Sequence, residues 1–386
     1  MHRSSAMQIA RRAAAAAALI TTLVVADTQP AAAANIIAVT TTADVVAADG
    51  LTSLREAVDI ANADSDHSVI QLGLGLTYQL TDCVAKEPID FGNGFFASPA
   101  DDDVNLDGDL DHTAAHDLTI EGNGSTIENT CLYDRVIDNL HGDSRLVLDD
   151  LTVTGGVGAP DEGGNVFSLG GATLTSVQIL DSRTDVGNQG GALVVGESVP
   201  TNPGNLLVMS DSTVLGNEQT GVRINTGDAV ITNTDFFDNG IHGVSVSFGS
   251  LDISGSTLVD NGTHGMAGID GSITATDVTA GGNGGYGLRN TGNAADGQAL
   301  EVLDSRVIGN LSGGVRCSYC TDLSLIGSTI ELNDGTGVSM VTNVTGPTIS
   351  IIESEIFGNG GAPIGTGSVA AEAGRVAMDA QGGVTP

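Results

Sequence analysis

The chain has 386 residues and a formal net charge of −35, with 13 lysines and arginines against 48 aspartates and glutamates. Such a charge repels nucleic acid, anionic lipid and polyanionic sugars unless a divalent cation bridges the two surfaces, so we expect no nucleic-acid partner. The 54 glycines, the absence of tryptophan and the low aromatic content are typical of narrow coils with many turns.

The first 34 residues have the pattern of an export signal. Arg11 and Arg12 precede an apolar stretch from Ala13 to Val25, and a run of alanines before Asn35 forms a cleavage site. The stretch is shorter than a membrane-spanning helix requires. We therefore predict a signal peptide over 1–34 and a secreted protein, extracellular or periplasmic, with no transmembrane segment in the mature chain. The arginine pair leaves twin-arginine export open as an alternative.

A capping helix is predicted to begin near residue 53. Ser53 and Glu56 have the spacing of a capping box, and Leu54, Val58 and Ala61 share one face of the helix that follows. A helix placed there would cover the open edge of the first β-coil.

An acidic loop follows the helix, and part of it matches the ligand spacing of a calcium loop. Position twelve of that loop is Ala114, so the usual bidentate carboxylate is missing unless Asp117 or another residue supplies it. The alternative is a solvated acidic loop. The candidate calcium ligands are Asp103, Asn105, Asp107, Asp109 and Asp111.

Four segments of the front half carry a family resemblance: Leu51–Val58, Gly108–Asp111, Asp117–Ile127 and Asp134–Val136. Together they resemble the CSLREA-domain proteins, exported bacterial proteins similar to right-handed parallel β-helices of the pectin-lyase-like type. The resemblance covers Ile36 to Gly156 and implies export and a β-helix, but no activity. Thr52 stands where the motif has a cysteine, so any bridge at that point is lost.

Seven asparagines recur through the second half, at intervals of 22, 22, 22, 27, 23 and 26 residues: Asn217, Asn239, Asn261, Asn283, Asn310, Asn333 and Asn359. A glycine follows each of the first six by four residues, and apolar residues spaced by two precede each asparagine. This alternation is that of short strands. A fixed period of this length indicates a solenoid with two or three strands per unit, and asparagine and glycine are expected at its left-handed bends.

A leucine-rich repeat is excluded, because it requires an apolar residue two positions after its asparagine and this chain has Gln219, Thr263 and Gly285 at three of those places. The fold class we predict is all-β: a right-handed parallel β-helix solenoid with an N-terminal capping helix. Its predicted parts are a cap region with the acidic loop over 35–117, β-helix repeats over 118–361 and a C-terminal tail over 362–386.

Four cysteines in an exported protein allow three pairings. Cys83 and Cys131 flank the front end and are placed to staple it. Cys317 and Cys320 form a CxxC motif, for which a local disulfide is favoured over a redox pair or half of a zinc site, because no second half is nearby.

His242 and His264 occupy the same repeat position, and Tyr286 follows in the next coil. Asp238 and Asp260 lie four residues before the two histidines. Two imidazoles about 5 Å apart with two carboxylates would form a transition-metal site. The alternative is an exposed polar turn.

A third candidate site is a glycan-cleaving groove. Asp277 and Asp304 are predicted to stack in adjacent coils, and so are Arg289 and Arg316. Paired carboxylates suit a retaining glycosidase, and an arginine beside acidic groups resembles the arrangement in pectate lyases. The low aromatic content argues against a sugar groove, and surface ladders need no catalysis to explain them.

The sequence favours an exported binding or structural module, with calcium as the candidate stabilising ion and a cell-surface or extracellular glycan or protein as the partner. The alternative is a polysaccharide lyase or glycoside hydrolase of the pectin-lyase-like fold. A concave groove with converging aspartates and arginines would favour the enzyme, and a flat surface would favour binding.

Overall fold

The computed structural model describes residues 34–83, 89–90, 96–97, 105, 108–131, 134–158, 163–184, 191–196, 205–292, 298–341, 348–362, 364–366, 371–373 and 377–378. The predicted export signal, and Asp103 and Asp107 of the acidic loop, lie outside the described residues.

Within the described residues there is one helix, α1, at Leu54–Ala63. The first strands in chain order are β1 Asn35–Ala38, β2 Ser68–Gln71, β3 Thr77–Leu80, β4 Ile89–Asp90, β5 Phe96–Ala97, β6 Leu110–His112, β7 Leu118–Asn129, β8 Ile137–Asn139, β9 Leu146–Thr154, β10 Val157–Gly158, β11 Gly163–Ser168, β12 Ala172–Leu180, β13 Arg183–Thr184, β14 Gly191–Val195, β15 Leu206–Ser210, β16 Thr213–Leu215, β17 Thr220–Ile224 and β18 Asp228–Thr232. The remaining strands are β19 Asp235–Phe237, β20 His242–Ser247, β21 Ser250–Ser254, β22 Thr257–Val259, β23 His264–Ile269, β24 Ser272–Thr276, β25 Thr279–Gly281, β26 Tyr286–Thr291, β27 Ala299–Leu303, β28 Arg306–Ile308, β29 Gly313–Ser318, β30 Asp322–Ile326, β31 Thr329–Glu331, β32 Thr336–Val341, β33 Thr348–Ile352, β34 Glu355–Phe357, β35 Ile364–Thr366, β36 Ala371–Ala373 and β37 Ala377–Met378.

Parallel strands stack coil upon coil in three columns, which we call stacks 1, 2 and 3. Stack 1 holds β2, the first halves of β7, β9 and β12, and then β15, β18, β21, β24, β27, β30, β33 and β36. Stack 2 holds β3, the second halves of the same three long strands, and then β16, β19, β22, β25, β28, β31, β34 and β37. Stack 3 runs β6, β8, β11, β14, β17, β20, β23, β26, β29, β32 and β35. Each regular coil therefore has three strands, which confirms the predicted parallel β-helix.

The core is built from the apolar columns that the repeat predicts. In stack 1, for example, Leu251 of β21 aligns with Ile273 of β24 and with Leu300 of β27, and all three are buried. Each column buries a continuous apolar strip, which is how a solenoid makes a core from units that have none alone.

The asparagines form a buried ladder inside the coils. Asn239 Nδ2 donates to Asn261 Oδ1 at 2.9 Å, and Asn261 Nδ2 donates to Asn283 Oδ1 at 3.0 Å. Asn261 Nδ2 also donates to the carbonyl oxygen of Phe236 in stack 2. The ladder thus satisfies backbone groups that the bend leaves outside the strand pairing.

The expected left-handed bends occur one residue earlier than the asparagines. The residue before each ladder asparagine has a positive φ, as at Asp238 (50°) and Asp260 (57°). A second column of positive φ, which includes Asp277 and Asp304, lies between stacks 1 and 2. Aspartate, asparagine and glycine tolerate this conformation, and the ladder asparagines are instead selected by their amide hydrogen bonds.

The glycines that follow the asparagines by four residues are required by close packing between coils. A Cβ at Gly243 would lie 2.8 Å from the Gly265 oxygen, and one at Gly265 would lie 2.7 Å from the Gly287 oxygen.

Helix α1 begins with the predicted capping box, and Leu54, Val58 and Ala61 are buried against the first coil. Arg55 is also buried: its guanidinium bonds Asp44 at 2.9 Å and the carbonyl oxygen of Asp109 at 2.7 Å. Among the described residues, no helix has the length and apolar character needed to cross a membrane.

Both disulfides fit the sequence-based expectation. Cys83 is bonded to Cys131 across 48 residues, and Cys317 is bonded to Cys320. The first bridge closes the front end, and the second lies at the end of β29, where both cysteines are buried.

Candidate functional site

The structure brings together part of the residue set that the sequence predicts as calcium ligands. Asp109 and Asp111 approach each other as expected, and Asp138 of β8 joins them, with one carboxylate oxygen from each within 4.8 Å of the others. Asn105 Nδ2 donates to the Arg55 carbonyl and to Asp59, and Asn105 Oδ1 accepts from the Asp111 backbone N–H. Asp138 was not foreseen, because it comes from the next coil and reaches the site through its pairing with Asp111.

The glycan-cleaving quartet is divided between separate parts of the coil. Asp277 lies at the bend between β24 and β25, and Asp304 lies at the bend between β27 and β28. Arg289 and Arg316 are aligned in β26 and β29 of stack 3. The aspartates are explained by their left-handed bends, so the two pairs do not form one constellation.

The predicted metal corner is likewise not formed. His242 and His264 do stack, with ring centroids 5.0 Å apart and planes 4° apart. Asp238 and Asp260 occupy left-handed bends after stack 2. Within the described part of the chain, the one group of three or more histidine, cysteine or carboxylate ligands that could hold a metal is the Asp109 group.

His264 is surrounded by hydrogen-bond donors. Its Nδ1 accepts from the Tyr286 backbone N–H at 2.9 Å, and its Nε2 lies 3.1 Å from Arg289 Nη1. An imidazolium would point both of its N–H groups at other donors, and a neutral ring can accept at only one nitrogen. The surroundings therefore oppose protonation of His264.

Charge and burial act in the same direction on both histidines. Burial, followed by the charges of Arg289 and Arg223, lowers the pKa of His242 to about 4. Burial, followed by His242, Arg289 and Arg316, lowers the pKa of His264 to about 3. Both rings are neutral at pH 7.

Tyr286 joins the histidine column to the second arginine. Its ring centroid lies 5.8 Å from that of His264. Arg316 Nη1 donates to the Tyr286 hydroxyl at 3.1 Å, and the guanidinium carbon lies 5.3 Å from the ring centroid. We call His242, His264, Tyr286, Arg289 and Arg316 the stack 3 cluster.

The two arginines of this cluster have no carboxylate partner among the described residues. Arg289 Nε is buried and has no hydrogen-bond partner in the same part of the chain. Burial and Arg316 lower the pKa of Arg289, as expected for like charges in adjacent coils. In a chain of net charge −35, this is a local concentration of positive charge.

A family profile described as a right handed beta helix region matches residues 199–373. The chain folds as a right-handed parallel β-helix. Among solved structures, the A-module of the mannuronan C-5 epimerase AlgE6 from Azotobacter vinelandii is similar, at 16% identity over 85% of this chain and 91% of that module, with a TM-score of 0.55. The pectate lyase Pel9A is similar at 12% identity over 92% of this chain and 80% of that protein, with a TM-score of 0.44.

At these identities the likeness shows the fold alone. A search of curated protein sequences finds no significant match. The resemblance of Ile36–Gly156 to the CSLREA-domain proteins stays a prediction.

The sequence predicted that His242, His264 and Tyr286 stack and that Arg289 and Arg316 stack, but it did not predict that the two columns contact each other. Arg289 follows Tyr286 by three residues in β26, and its guanidinium reaches back to His264 in the preceding coil. Arg316 likewise reaches back to Tyr286. The sequence feature that could have indicated this contact is Arg289, which lies three residues after the repeat position shared by His242, His264 and Tyr286.

Proposed function

We propose that this protein acts on a polysaccharide of uronic acids by moving the proton on the carbon next to the sugar carboxylate. The observation that carries the proposal is the pair Arg289 and Arg316, which lack a carboxylate partner among the described residues. A uronate would supply the missing negative charge, and guanidinium groups are well suited to bind carboxylates.

The neighbouring side chains suit proton transfer. Arginine contacts would stabilise the negative charge that develops on the carboxylate when the adjacent proton leaves. We assign His264 a positioning role towards Tyr286 and Arg289, because its Nδ1 already accepts the Tyr286 backbone N–H and its surroundings oppose protonation. We assign Tyr286 as the group that exchanges a proton with the sugar carbon, because its hydroxyl lies beside the Arg316 guanidinium that would hold the sugar carboxylate.

Two outcomes follow from the same proton loss. Return of a proton to the opposite face of the carbon gives epimerisation, and departure of the neighbouring glycosidic oxygen gives elimination. The similar fold of a protein named mannuronan C-5 epimerase supports this class of reaction. A hydrolase is less favoured, because it needs two carboxylates flanking the bond and Asp277 and Asp304 are bend residues outside stack 3.

The acidic surface sets a condition on binding. A net charge of −35 repels a polyanion over distances longer than the reach of two arginines. We therefore expect productive binding to need a divalent cation such as calcium to bridge or screen the two acidic molecules.

The test is incubation of the purified protein in D2O with mannuronan, polygalacturonate and a neutral glucan, with calcium and with chelator. NMR detects deuterium at the carbon next to the carboxylate, and ultraviolet absorbance detects unsaturated ends. We expect Tyr286→Phe and Arg289→Gln to lower kcat by about 10²–10⁴-fold.

Arg306→Gln is the matched control, because Arg306 lies in stack 2 and pairs with Glu331 at the surface. Absence of deuterium incorporation into every uronan tested would overturn the proposed enzymatic activity. Binding of a uronan that Arg289→Gln abolishes, without deuterium incorporation, would assign the same site to an exported binding module.

A further inference from the structure

Three of the seven histidines of the chain lie between residues 112 and 141, at the front of the β-helix. His112 ends β6 and is fully buried, and its ring centroid lies 5.3 Å from that of His116. In the parallel pairing of β6 with β8, His112 aligns with Asn139, which is also fully buried.

Hydrogen bonds fix the tautomer of the two adjacent rings. His112 Nε2 lies 2.8 Å from the His116 carbonyl oxygen, and His116 Nδ1 lies 3.2 Å from the Asp117 carbonyl oxygen. A carbonyl oxygen only accepts, so these two nitrogens carry the protons. His112 Nδ1 and His116 Nε2 therefore present bare lone pairs, and both atoms are buried without a hydrogen-bond partner among the described residues.

Asn139 adds a third acceptor of the same kind. Its Nδ2 donates to the Ser144 carbonyl at 3.0 Å and to Ser168 Oγ at 2.9 Å, which fixes the orientation of the amide. Its Oδ1 is buried without a partner in the described part of the chain. Ser144 Oγ donates to the His116 carbonyl, so Ser144 joins the asparagine to the histidine pair.

We propose that His112 Nδ1, His116 Nε2 and Asn139 Oδ1 are ligands of one divalent transition-metal ion, with water completing the coordination. Imidazole nitrogen is a preferred ligand of zinc, copper and nickel. Metal-bound histidines commonly donate their other N–H to a backbone carbonyl, and both rings do so here. A single buried water has two protons, so it cannot donate to three acceptors at once.

The site is separate from the acidic group described above. Side chains alternate along a strand, so Asp111 and His112 of β6 project to opposite faces. The site is also separate from the stack 3 cluster, where His264 Nδ1 already accepts a backbone N–H. The proposal thus concerns residues that the proposed function does not use.

His141 supplies a control close to the site. Its Nδ1 accepts from the Asp143 backbone N–H at 3.2 Å. A neutral His141 therefore carries its proton on Nε2 and has no bare nitrogen to offer. Removal of its ring should leave metal affinity nearly unchanged, although His141 is a histidine from the same region.

The test is isothermal titration of the chelator-treated full chain with zinc, followed by melting with and without zinc. We expect one bound zinc per chain and a zinc-dependent rise in Tm. His116→Gln is the main variant, because His112 is fully buried and its replacement risks misfolding. We expect His116→Gln to weaken zinc binding by about 100-fold or more and to abolish the rise in Tm.

His141→Ala and the double variant His242→Ala/His264→Ala should bind zinc within about threefold of the parent, well below the effect of losing a ligand. Absence of zinc binding in the parent would overturn the proposal, and so would unchanged affinity in His116→Gln. Loss of binding in the His242/His264 variant alone would also overturn it, because that result places the ion in the stack 3 cluster and not at His112, His116 and Asn139.

Discussion

His242 and His264 make the stability of the folded chain depend on pH. A histidine in an unfolded chain titrates near pH 6.5, whereas the folded values are about 4 and about 3. Between pH 6.5 and those values the unfolded state binds more protons, so stability is lost as pH falls through this window. We expect a loss of up to about 1.4 kcal/mol per pH unit from each histidine.

The measurement is the free energy of unfolding from denaturant titrations at pH 7, 6 and 5, compared between the parent and His242→Asn/His264→Asn. The many carboxylates contribute to both proteins, so the difference in slope isolates the two histidines. Equal slopes would show that the rings are not held neutral in the folded state.

Replacement of Asn261 tests whether the asparagine ladder stabilises the fold. Its amide donates to Asn283 and to the Phe236 carbonyl, and it accepts from Asn239. Asn261→Leu would leave several buried groups unsatisfied, so we expect a loss of about 3 kcal/mol, measured as a lower denaturation midpoint. Asn233→Gly is the control, because Asn233 lies at a left-handed bend that glycine adopts easily, and it should change the midpoint little. An equal denaturation midpoint for Asn261→Leu and the parent would contradict a structural role for the ladder.

At the scale of elements, helix α1 protects the end of the solenoid. Leu54 is 3% exposed against the first coil, whereas Ile60 on the same helix is 44% exposed. Leu54→Asp should displace the helix and leave strand edges open to other chains. We expect light scattering to show association for Leu54→Asp and a monodisperse chain for Ile60→Asp; the same behaviour in both variants would argue against this role.

The stacked columns were predictable because the period places equal residues above one another. The apolar columns, the asparagine ladder and the capping box follow from spacing alone. The sequence prediction placed the left-handed bends one residue too late, at the asparagines. Asparagine is favoured both at left-handed bends and where its side-chain amide forms buried hydrogen bonds. Only the ladder geometry separates these two causes.

The candidate site was harder to predict, because it depends on which stack each column joins. Arg289 and Arg316 belong to stack 3, and Asp277 and Asp304 belong to the bends beyond stack 1. Equal spacing shows that residues stack, but it does not show which side of the coil they occupy. The contact between Arg289 and His264 also crosses from one coil to the one before.

At the scale of the whole molecule, charge is unevenly arranged. The net charge of −35 destabilises the compact state by self-repulsion, while the stack 3 cluster holds two arginines without a carboxylate partner in the described residues. Added salt screens exposed charges beyond a Debye length, which is about 10 Å at 0.1 M. Salt should therefore raise Tm by a general effect that is shared by every cation.

Calcium should raise Tm further than salt screening does, by binding to a specific group of carboxylates. Asp109, Asp111 and Asp138 are fully buried and close enough to share one ion, and calcium prefers several carboxylate oxygens. We expect calcium to raise Tm more than sodium chloride of equal ionic strength, by RT ln(1 + [L]/Kd) in stability. Asp109→Asn should lose the calcium increment and keep the salt effect, because the Asp109 carbonyl that receives Arg55 is unchanged. Two results would contradict calcium binding by these three aspartates: equal rises in Tm with calcium and with sodium chloride, or an undiminished calcium increment in Asp109→Asn. Calcium would then act only by screening the acidic surface.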